Sequence, residues 1–184
     1  MRIAYIAAGA AGMYCGTCIH DNTLAAALQE AGHEVALLPL YTPLRTDEED
    51  VSRGQIFYGA LNVYLQQKSG LFRHTPRLLD RWLDRPALLS AVSKLAASTD
   101  ARDLGDLTLS VLRAEHGRQR KELERLVDWL EGFDPDIVQL ANSMLLGIGG
   151  EIKRRLDVPL VCALTGEDIF LEQLPEPRRS EVIE

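Results

Sequence analysis

The sequence predicts an α/β domain with a mostly parallel sheet, helices on both faces of that sheet and a helical insertion in the middle of the chain. Two observations predict it. A strand, a Gly-rich loop, a helix and a second strand follow one another over residues 2–40, and a strand–helix–strand pattern recurs over residues 133–164. Two strands joined through a helix pair in parallel, with a right-handed connection in nearly all proteins. Residues 42–132 follow a different pattern, so we expect one domain over residues 1–184 that carries an insertion.

The first unit opens with an apolar strand. Residues 2–8 form a continuous apolar run that stops at a glycine, which is typical of a strand buried on both faces of a sheet. The helix is predicted over residues 21–31 and the second strand over residues 34–40. The apolar face of this helix is predicted to carry Leu24, Ala27 and Leu28.

The insertion, about residues 42–132, is predicted to begin with a hairpin. β-branched and aromatic side chains cluster at residues 55–59 and again at residues 62–66. Such clusters favour short strands, so we expect two of them here, paired with each other.

Helices are predicted for the rest of the insertion. One helical stretch begins at His74 and continues to about Val92, and a longer helix covers about residues 107–131. The 3–4 spacing of leucines in the longer helix puts His116 and Gln119 on the same apolar stripe. We therefore expect the His116 imidazole to be buried.

The second unit repeats the strand–helix–strand pattern. A turn at residues 133–136 precedes a strand at residues 137–140. Ser143 is predicted to cap a helix that runs to about Leu156. Another buried strand is expected at residues 160–164.

Composition and charge exclude several classes of protein. The chain has 20 basic and 27 acidic residues, a net charge of −7, which argues against a nucleic-acid-binding surface. No apolar run approaches the roughly 20 residues that span a bilayer. The apolar stretch at the N-terminus is short for a secretory signal, and three cysteines do not make a disulfide framework. We therefore expect a cytoplasmic protein with no transmembrane segment and no nucleic-acid partner.

The Gly-rich loop at residues 9–16 is a candidate anion site. Glycines between a strand and a helix let the backbone approach a ligand, and the amides at the helix start favour a phosphate. Neither G-x-G-x-x-G nor the P-loop pattern is present. A tight turn without a ligand remains the alternative interpretation.

Cys15 and Cys18 form a C-x-x-C motif near the start of the first helix. A helix start lowers a thiol pKa, so the pair could be a redox dithiol. A zinc site would need further ligands, and Cys162 alone does not complete one. The four histidines are not at metal-ligand spacing either, so no metal site is expected.

Polar residues gather where the predicted strands end. These positions are residues 9–16, 41–45, 142–143 and 165–168. Ligands of open parallel sheets bind beyond the carboxyl ends of the strands, so we expect these residues to lie near one another. Helix capping is the competing interpretation for Asn142, Ser143, Glu167 and Asp168.

The sequence of these strands, helices and loops resembles the N-terminal domain of family 4 (group 1) retaining glycosyltransferases of the GT-B fold. Residues 1–6 with their Gly loop and residues 24–35 (LAAALQEAGHEV) resemble the family's first strand, helix and second strand. Residues 135–138 (PDIV) and 161–168 (VCALTGED) resemble two later strands. Residues 63–72 are similar to the glycogen and starch synthase branch.

The resemblance implies two Rossmann-like domains that face a cleft. The N-terminal domain holds the acceptor, and a C-terminal domain, absent from this chain, binds the nucleotide-sugar. The implied reaction moves a hexose from a nucleotide-sugar donor to a hydroxyl of a carbohydrate or lipid-linked acceptor with retention. No cofactor is implied beyond the nucleotide-sugar substrate, and this chain alone is expected to be inactive.

The resemblance also implies site residues, although Thr165 stands where the family has a histidine. Catalytic roles are expected for Asn142, Glu167 and Asp168. Contacts with the donor phosphate are expected from Gly12, Gly16 and Thr17. Acceptor contacts are expected from Tyr64, Gln66, His74, Ser143 and Thr165. Two other classes stay open: a non-catalytic carbohydrate-binding or interaction module, and a C-x-x-C redox protein.

Overall fold

The computed structural model describes residues 1–9, 14–74 and 101–183. In these ranges the chain forms a four-stranded sheet in the order β2-β1-β3-β4, and every strand pair is parallel. The strands are β1 (Arg2–Ala7), β2 (Glu34–Pro39), β3 (Ile137–Leu140) and β4 (Leu160–Cys162). The prediction of an α/β domain on a parallel sheet is confirmed, and the architecture is compatible with a Rossmann-like fold.

Helices connect the strands. They are α1 (Gly16–Glu30), α2 (Ala60–Lys68), α3 (Ala101–Leu112), α4 (Arg120–Phe133), α5 (Leu146–Leu156), α6 (Glu167–Glu172) and α7 (Arg178–Ile183). Single 3₁₀ turns lie at Gly70–His74, Ala114–His116 and Ser143–Leu145. None of the helices in the described ranges has both the length and the apolar composition that crossing a bilayer requires.

Strand β1 is central because its residues are apolar on both faces. Residues 3–7 are each at most 8% exposed. In the register, Ile6 lies opposite Leu38 of β2 and Leu140 of β3. The strands therefore end together, and their carboxyl ends lie along one edge of the sheet.

The core is built by α4 and α5 against the sheet. Leu126 and Leu130 of α4 and Ile148 and Ile152 of α5 have no exposed surface. This burial follows from 3–4 spacing of apolar residues in both helices. Each fully buried side chain of this size contributes roughly 1.5–3 kcal/mol to folding.

A buried carboxylate holds α2 against α4. Glu122 of α4 has no exposed surface, and its Oε1 accepts hydrogen bonds of 2.8 Å from the amides of Asn62 and Gln66 on α2. Its Oε2 accepts a 2.5 Å bond from the guanidinium of Arg125. A charge can be buried here because both of its oxygens have partners.

The prediction of an inserted hairpin is wrong. Residues 62–66 lie within α2, and residues 55–59 lie outside any strand. Phe57, Tyr58 and Val63 are each 1% exposed, so their side chains pack in the core. Aromatic and β-branched residues clustered for burial rather than for strand pairing, and tertiary packing overrode their β propensity.

The long helix predicted over residues 107–131 is also wrong, because the chain turns between α3 and α4. A Cβ on Gly117 would lie 1.9 Å from the carbonyl oxygen of Ser110, so only glycine fits there. The Ser110 hydroxyl accepts the Arg118 N–H at 2.8 Å and donates to Gln119 at 2.7 Å. His116 is therefore exposed rather than buried, and it does not share a stripe with Gln119.

The first helix differs from its prediction in extent and in face. It begins at Gly16, five positions before residue 21, where it was predicted to start. Its buried residues are Cys18, Asp21, Asn22 and Ala25, whereas Leu24 is 37% exposed. The buried face of α1 is thus partly polar, which an apolar-stripe argument cannot detect.

The second strand–helix–strand unit differs from its prediction in two details. Helix α5 begins at Leu146, after a 3₁₀ turn, so Ser143 is not its N-cap. Strand β4 ends at Cys162, and Val161 and Leu164 are 43% and 81% exposed. The predicted buried strand is instead a half-exposed one at the end of the described sheet order.

Candidate functional site

The loops that follow the strands meet along the edge where the strands end, which we call the carboxyl edge. It comprises Gly9 and Cys15–Cys18 after β1, residues 41–45 after β2, residues 142–143 after β3 and residues 163–168 after β4. Gly9 has a φ of +96°, and a Cβ there would lie 2.1 Å from the carbonyl oxygen of Thr42. The loops after β1 and β2 are therefore in backbone contact.

Glu167 joins the loops after β3 and β4. Its Oε1 accepts the backbone N–H of Ser143 at 2.6 Å, and its Oε2 accepts the N–H of Thr165 at 2.7 Å. Burial alone would raise the pKa of this carboxyl, but its own backbone N–H and those of Ser143 and Thr165 outweigh burial and lower the pKa. The site therefore holds a fixed negative charge at neutral pH.

Asn142 lies beside this carboxylate. It is the N-cap of the 3₁₀ turn Ser143–Leu145, yet its side chain makes no capping hydrogen bond. Its Oδ1 is buried and has no hydrogen-bond partner among the residues that the structure describes. A buried acceptor without a partner costs free energy, so this oxygen is suited to accept a hydrogen bond from a ligand.

Four of the predicted site residues therefore come together: Asn142, Ser143, Thr165 and Glu167. Asp168 follows Glu167 in α6 and is exposed. The competing interpretation, helix capping, does not account for Asn142, whose side chain makes no capping hydrogen bond to the 3₁₀ turn in the described structure. It does describe part of the role of Glu167, which accepts the N–H of Ser143 at the start of that turn.

The start of α1 lies at the same edge. Gly16 is exposed and Thr17 is half-exposed, and the first turn of this 15-residue helix contains no acidic side chain. The N–H groups of this first turn and the helix dipole favour an anion at this end, where the N–H groups of Thr17 and Cys18 already lower the pKa of the Cys15 thiol. Gly12 lies outside the described residues, as does the helical stretch predicted between residues 75 and 92.

Arg45 is a residue of this edge to which the sequence assigned no role. Its guanidinium carbon lies 4.3 Å from the ring centroid of Tyr14, which precedes α1. This cation–π contact holds a positive charge near the start of α1. The only signal in the sequence was the position of Arg45 just after the second strand.

The remaining predicted acceptor residues lie on or next to α2. Gln66 has no exposed surface and donates to Glu122, so it supports the fold instead of facing a ligand. Tyr64 is 45% exposed on α2. His74 ends the 3₁₀ turn Gly70–His74.

Two other arrangements do not form ligand sites. Within the described ranges, no group of three or more His, Cys, Asp or Glu side chains is placed to hold a metal ion. A cavity of about 140 Å³ contains Arg113 and Arg178 in its lining. Both arginines are already ion-paired, Arg113 with Glu181 and Arg178 with Asp106 and Glu181.

Comparison with known proteins adds no assignment. No protein-family model matches the sequence, and no curated protein matches it significantly.

Proposed function

We propose that this chain is the acceptor-side half of a retaining glycosyltransferase: a Rossmann-like domain with helices on both faces and a helical insertion between β2 and β3. The resemblance of residues 24–35, 135–138 and 161–168 to that family supports the proposal. The observation that carries it is the convergence of Asn142, Ser143, Thr165 and Glu167 at the carboxyl edge.

The side chains of this cluster are suited to bind sugar hydroxyls. A hexose presents several O–H donors, and Asn142 Oδ1 offers a buried acceptor that lacks a protein partner in the described ranges. The oxygens of Glu167 and Asp168 are further acceptors. Since the hydrogen bonds that Glu167 accepts keep it ionised, its charge also stabilises the positive charge that develops in an oxocarbenium-like transition state.

The leaving diphosphate requires stabilisation of negative charge. In the proposal, the N–H of Gly16 at the start of α1 supplies it, together with Gly12 and with Thr17, whose N–H would pass from the Cys15 thiol to the phosphate. The dipole of a 15-residue helix without acidic residues in its first turn adds to them. Preorganised amides of this kind are effective in a cleft that excludes water, which a nucleotide-sugar domain would close.

The acceptor is a carbohydrate or a lipid-linked sugar. Ser143, Thr165, Tyr64 and His74 are the proposed contacts. Gln66 acts indirectly, because its amide holds Glu122 and so fixes α2, which carries Tyr64.

A carbohydrate-binding module without catalytic activity is the second candidate. The observation that favours it is Thr165, because a threonine hydroxyl cannot act as the imidazole of the related family does. Such a module would bind sugars through the same edge and would turn over no donor.

The test uses the protein encoded by the complete reading frame and a panel of nucleotide-sugars, with hydrolysis and transfer measured for each. The proposal predicts turnover of at least one nucleotide-sugar, with loss of turnover in Asn142→Ala while the circular dichroism spectrum is unchanged. Binding of a sugar without turnover would favour the second candidate. Neither binding nor turnover would contradict both.

A further inference from the structure

We propose that Cys15 and Cys18 form a thiol–disulfide exchange couple that reduces disulfide substrates, and that Asp21 accepts the proton of the Cys18 thiol. This activity is chemically distinct from the proposed sugar transfer, although both use the first turn of α1. It rests on the placement of three side chains over the first two turns of α1.

The two cysteines differ in access. Cys15 is the N-cap of α1 and is half-exposed, whereas Cys18, one turn further on, is 3% exposed. Their side chains are hydrogen-bonded to each other. Both residues lie in the first turn of α1, so a disulfide between them could close by side-chain rotation within that turn. An accessible thiol next to a buried one is the arrangement of an attacking and a resolving cysteine.

The surroundings of the two thiols also favour Cys15 as the attacking cysteine and Cys18 as the resolving one. Burial raises the pKa of Cys15, but the N–H groups of Cys18 and Thr17 and the Cys18 thiol outweigh it and lower the pKa. Burial, followed by the nearby charges of Cys15 and Asp21, raises the pKa of Cys18 to about 12. Cys15 is therefore the thiolate that attacks, and Cys18 needs a base before it can react.

Asp21 is positioned to be that base. It lies one turn beyond Cys18 on the buried face of α1 and is 1% exposed. The Tyr5 hydroxyl donates to its Oδ1 at 2.6 Å, and His20 Nδ1 lies 3.4 Å from the same oxygen. Its Oδ2 has no partner in the described part of the chain.

The charge state of Asp21 suits proton exchange. Burial raises the pKa of this carboxyl, against the opposing effects of Tyr5 and His20. A carboxyl with a raised pKa takes up a proton more readily than an exposed one. Because the described residues contain no group of three or more His, Cys, Asp or Glu side chains that could hold a metal ion, exchange chemistry fits this pair better than metal binding.

The Cys15 thiolate attacks one sulfur of a disulfide R–S–S–R, which forms a mixed disulfide and expels R–S⁻. The Cys18 thiol passes its proton to Asp21 Oδ2, and the resulting thiolate attacks Cys15 Sγ, which expels the second R–S⁻ and closes the Cys15–Cys18 disulfide. Two electrons pass from the cysteines to the substrate. The two R–S⁻ groups take up one proton from Asp21 and one from solvent.

The first test treats the reduced full chain with oxidised glutathione and follows products by alkylation and intact-mass spectrometry. The wild-type chain is expected to form the Cys15–Cys18 disulfide and to leave Cys162 free. Cys18→Ser is expected to stop at a mixed disulfide on Cys15, and Cys15→Ser to react at least about tenfold more slowly. Cys162→Ser is the matched control and is expected to behave like wild type.

Three results would contradict the proposed exchange couple. The wild-type chain could stop at the mixed disulfide, Cys162 could be oxidised preferentially, or Cys15 of the Cys18→Ser variant could attack oxidised glutathione much more slowly than in wild type. The last comparison does not depend on the folding of Cys15→Ser.

The second test measures the two rates separately in Asp21→Asn, which keeps an acceptor for the Tyr5 hydroxyl. Formation of the mixed disulfide is expected within about twofold of wild type, and closure is expected about tenfold slower or more. A variant in which both rates fall equally, or in which neither changes, would show that Asp21 has only a structural role.

Discussion

The Glu167 carboxylate accepts the backbone N–H of Ser143 across 2.6 Å, which ties the end of β3 to the start of α6. A second bond of 2.7 Å to the N–H of Thr165 uses the other oxygen. One side chain therefore sets the spacing between two loops of the carboxyl edge.

Glu167→Gln is expected to lower the free energy of unfolding by about 1–2 kcal/mol. The amide replaces one accepting oxygen with a donor that faces a backbone N–H, so a charge-assisted hydrogen bond is lost. Urea unfolding measures the change. Glu172→Gln, at the exposed end of α6, is the control and should have little effect. An equal loss in both variants would mean that the two bonds contribute nothing specific.

The contribution of Glu167 should depend on pH. The pKa of its carboxyl is lowered in the folded state, so the stability it adds is complete above its ordinary value of 4.5. That stability is lost as the pH falls through the lowered folded pKa. The difference in unfolding free energy between wild type and Glu167→Gln should therefore shrink with acidification below pH 4.5. A difference that stays constant into strong acid would contradict this explanation.

Asp21 should show the opposite dependence. Burial raises the pKa of its carboxyl in the folded state, so its contribution is most favourable at low pH and falls as the pH rises through the folded pKa. Asp21→Asn should consequently gain stability relative to wild type between pH 4 and pH 8. Thermal melts at both pH values test this, and a relative loss of stability over that range would rule it out.

Gly9→Ala should be strongly destabilising. Its φ of +96° disfavours any L side chain, and the new Cβ would lie 2.1 Å from the carbonyl oxygen of Thr42. We expect a loss of about 2–4 kcal/mol, measured by urea unfolding. Gly132→Ala in α4 is the matched control: nothing lies within 4 Å of its Cβ, and it should gain about 0.5–1 kcal/mol. A small effect at Gly9 would show that the loops after β1 and β2 separate easily.

The sequence was sufficient to predict the sheet because its signals are local. Apolar runs identified β1 and β2, and the turn at residues 133–136 located the start of β3. The turn between α3 and α4 could not be predicted in this way. It depends on a backbone contact between Gly117 and Ser110, seven positions apart, which a pattern of apolar spacing does not reveal.

The candidate site was predictable to the extent that it follows from strand order. Asn142 and Glu167 could be placed at one edge because parallel strands end together. The contact of Arg45 with Tyr14 could not be foreseen, and neither could the lack of a partner for Asp21 Oδ2 among the described residues, because each depends on side-chain placement. The exposure of Val161 was missed because an apolar run does not reveal which strand lies at the end of the described sheet.

The most direct test of the central claim is the turnover of nucleotide-sugars by the protein encoded by the complete reading frame, compared between Glu167→Gln and Glu172→Gln. The proposal predicts a fall in kcat/KM of about 100-fold at Glu167 and no change at Glu172. Equal activity of the two variants, or no turnover of any nucleotide-sugar by the wild-type protein, would contradict it.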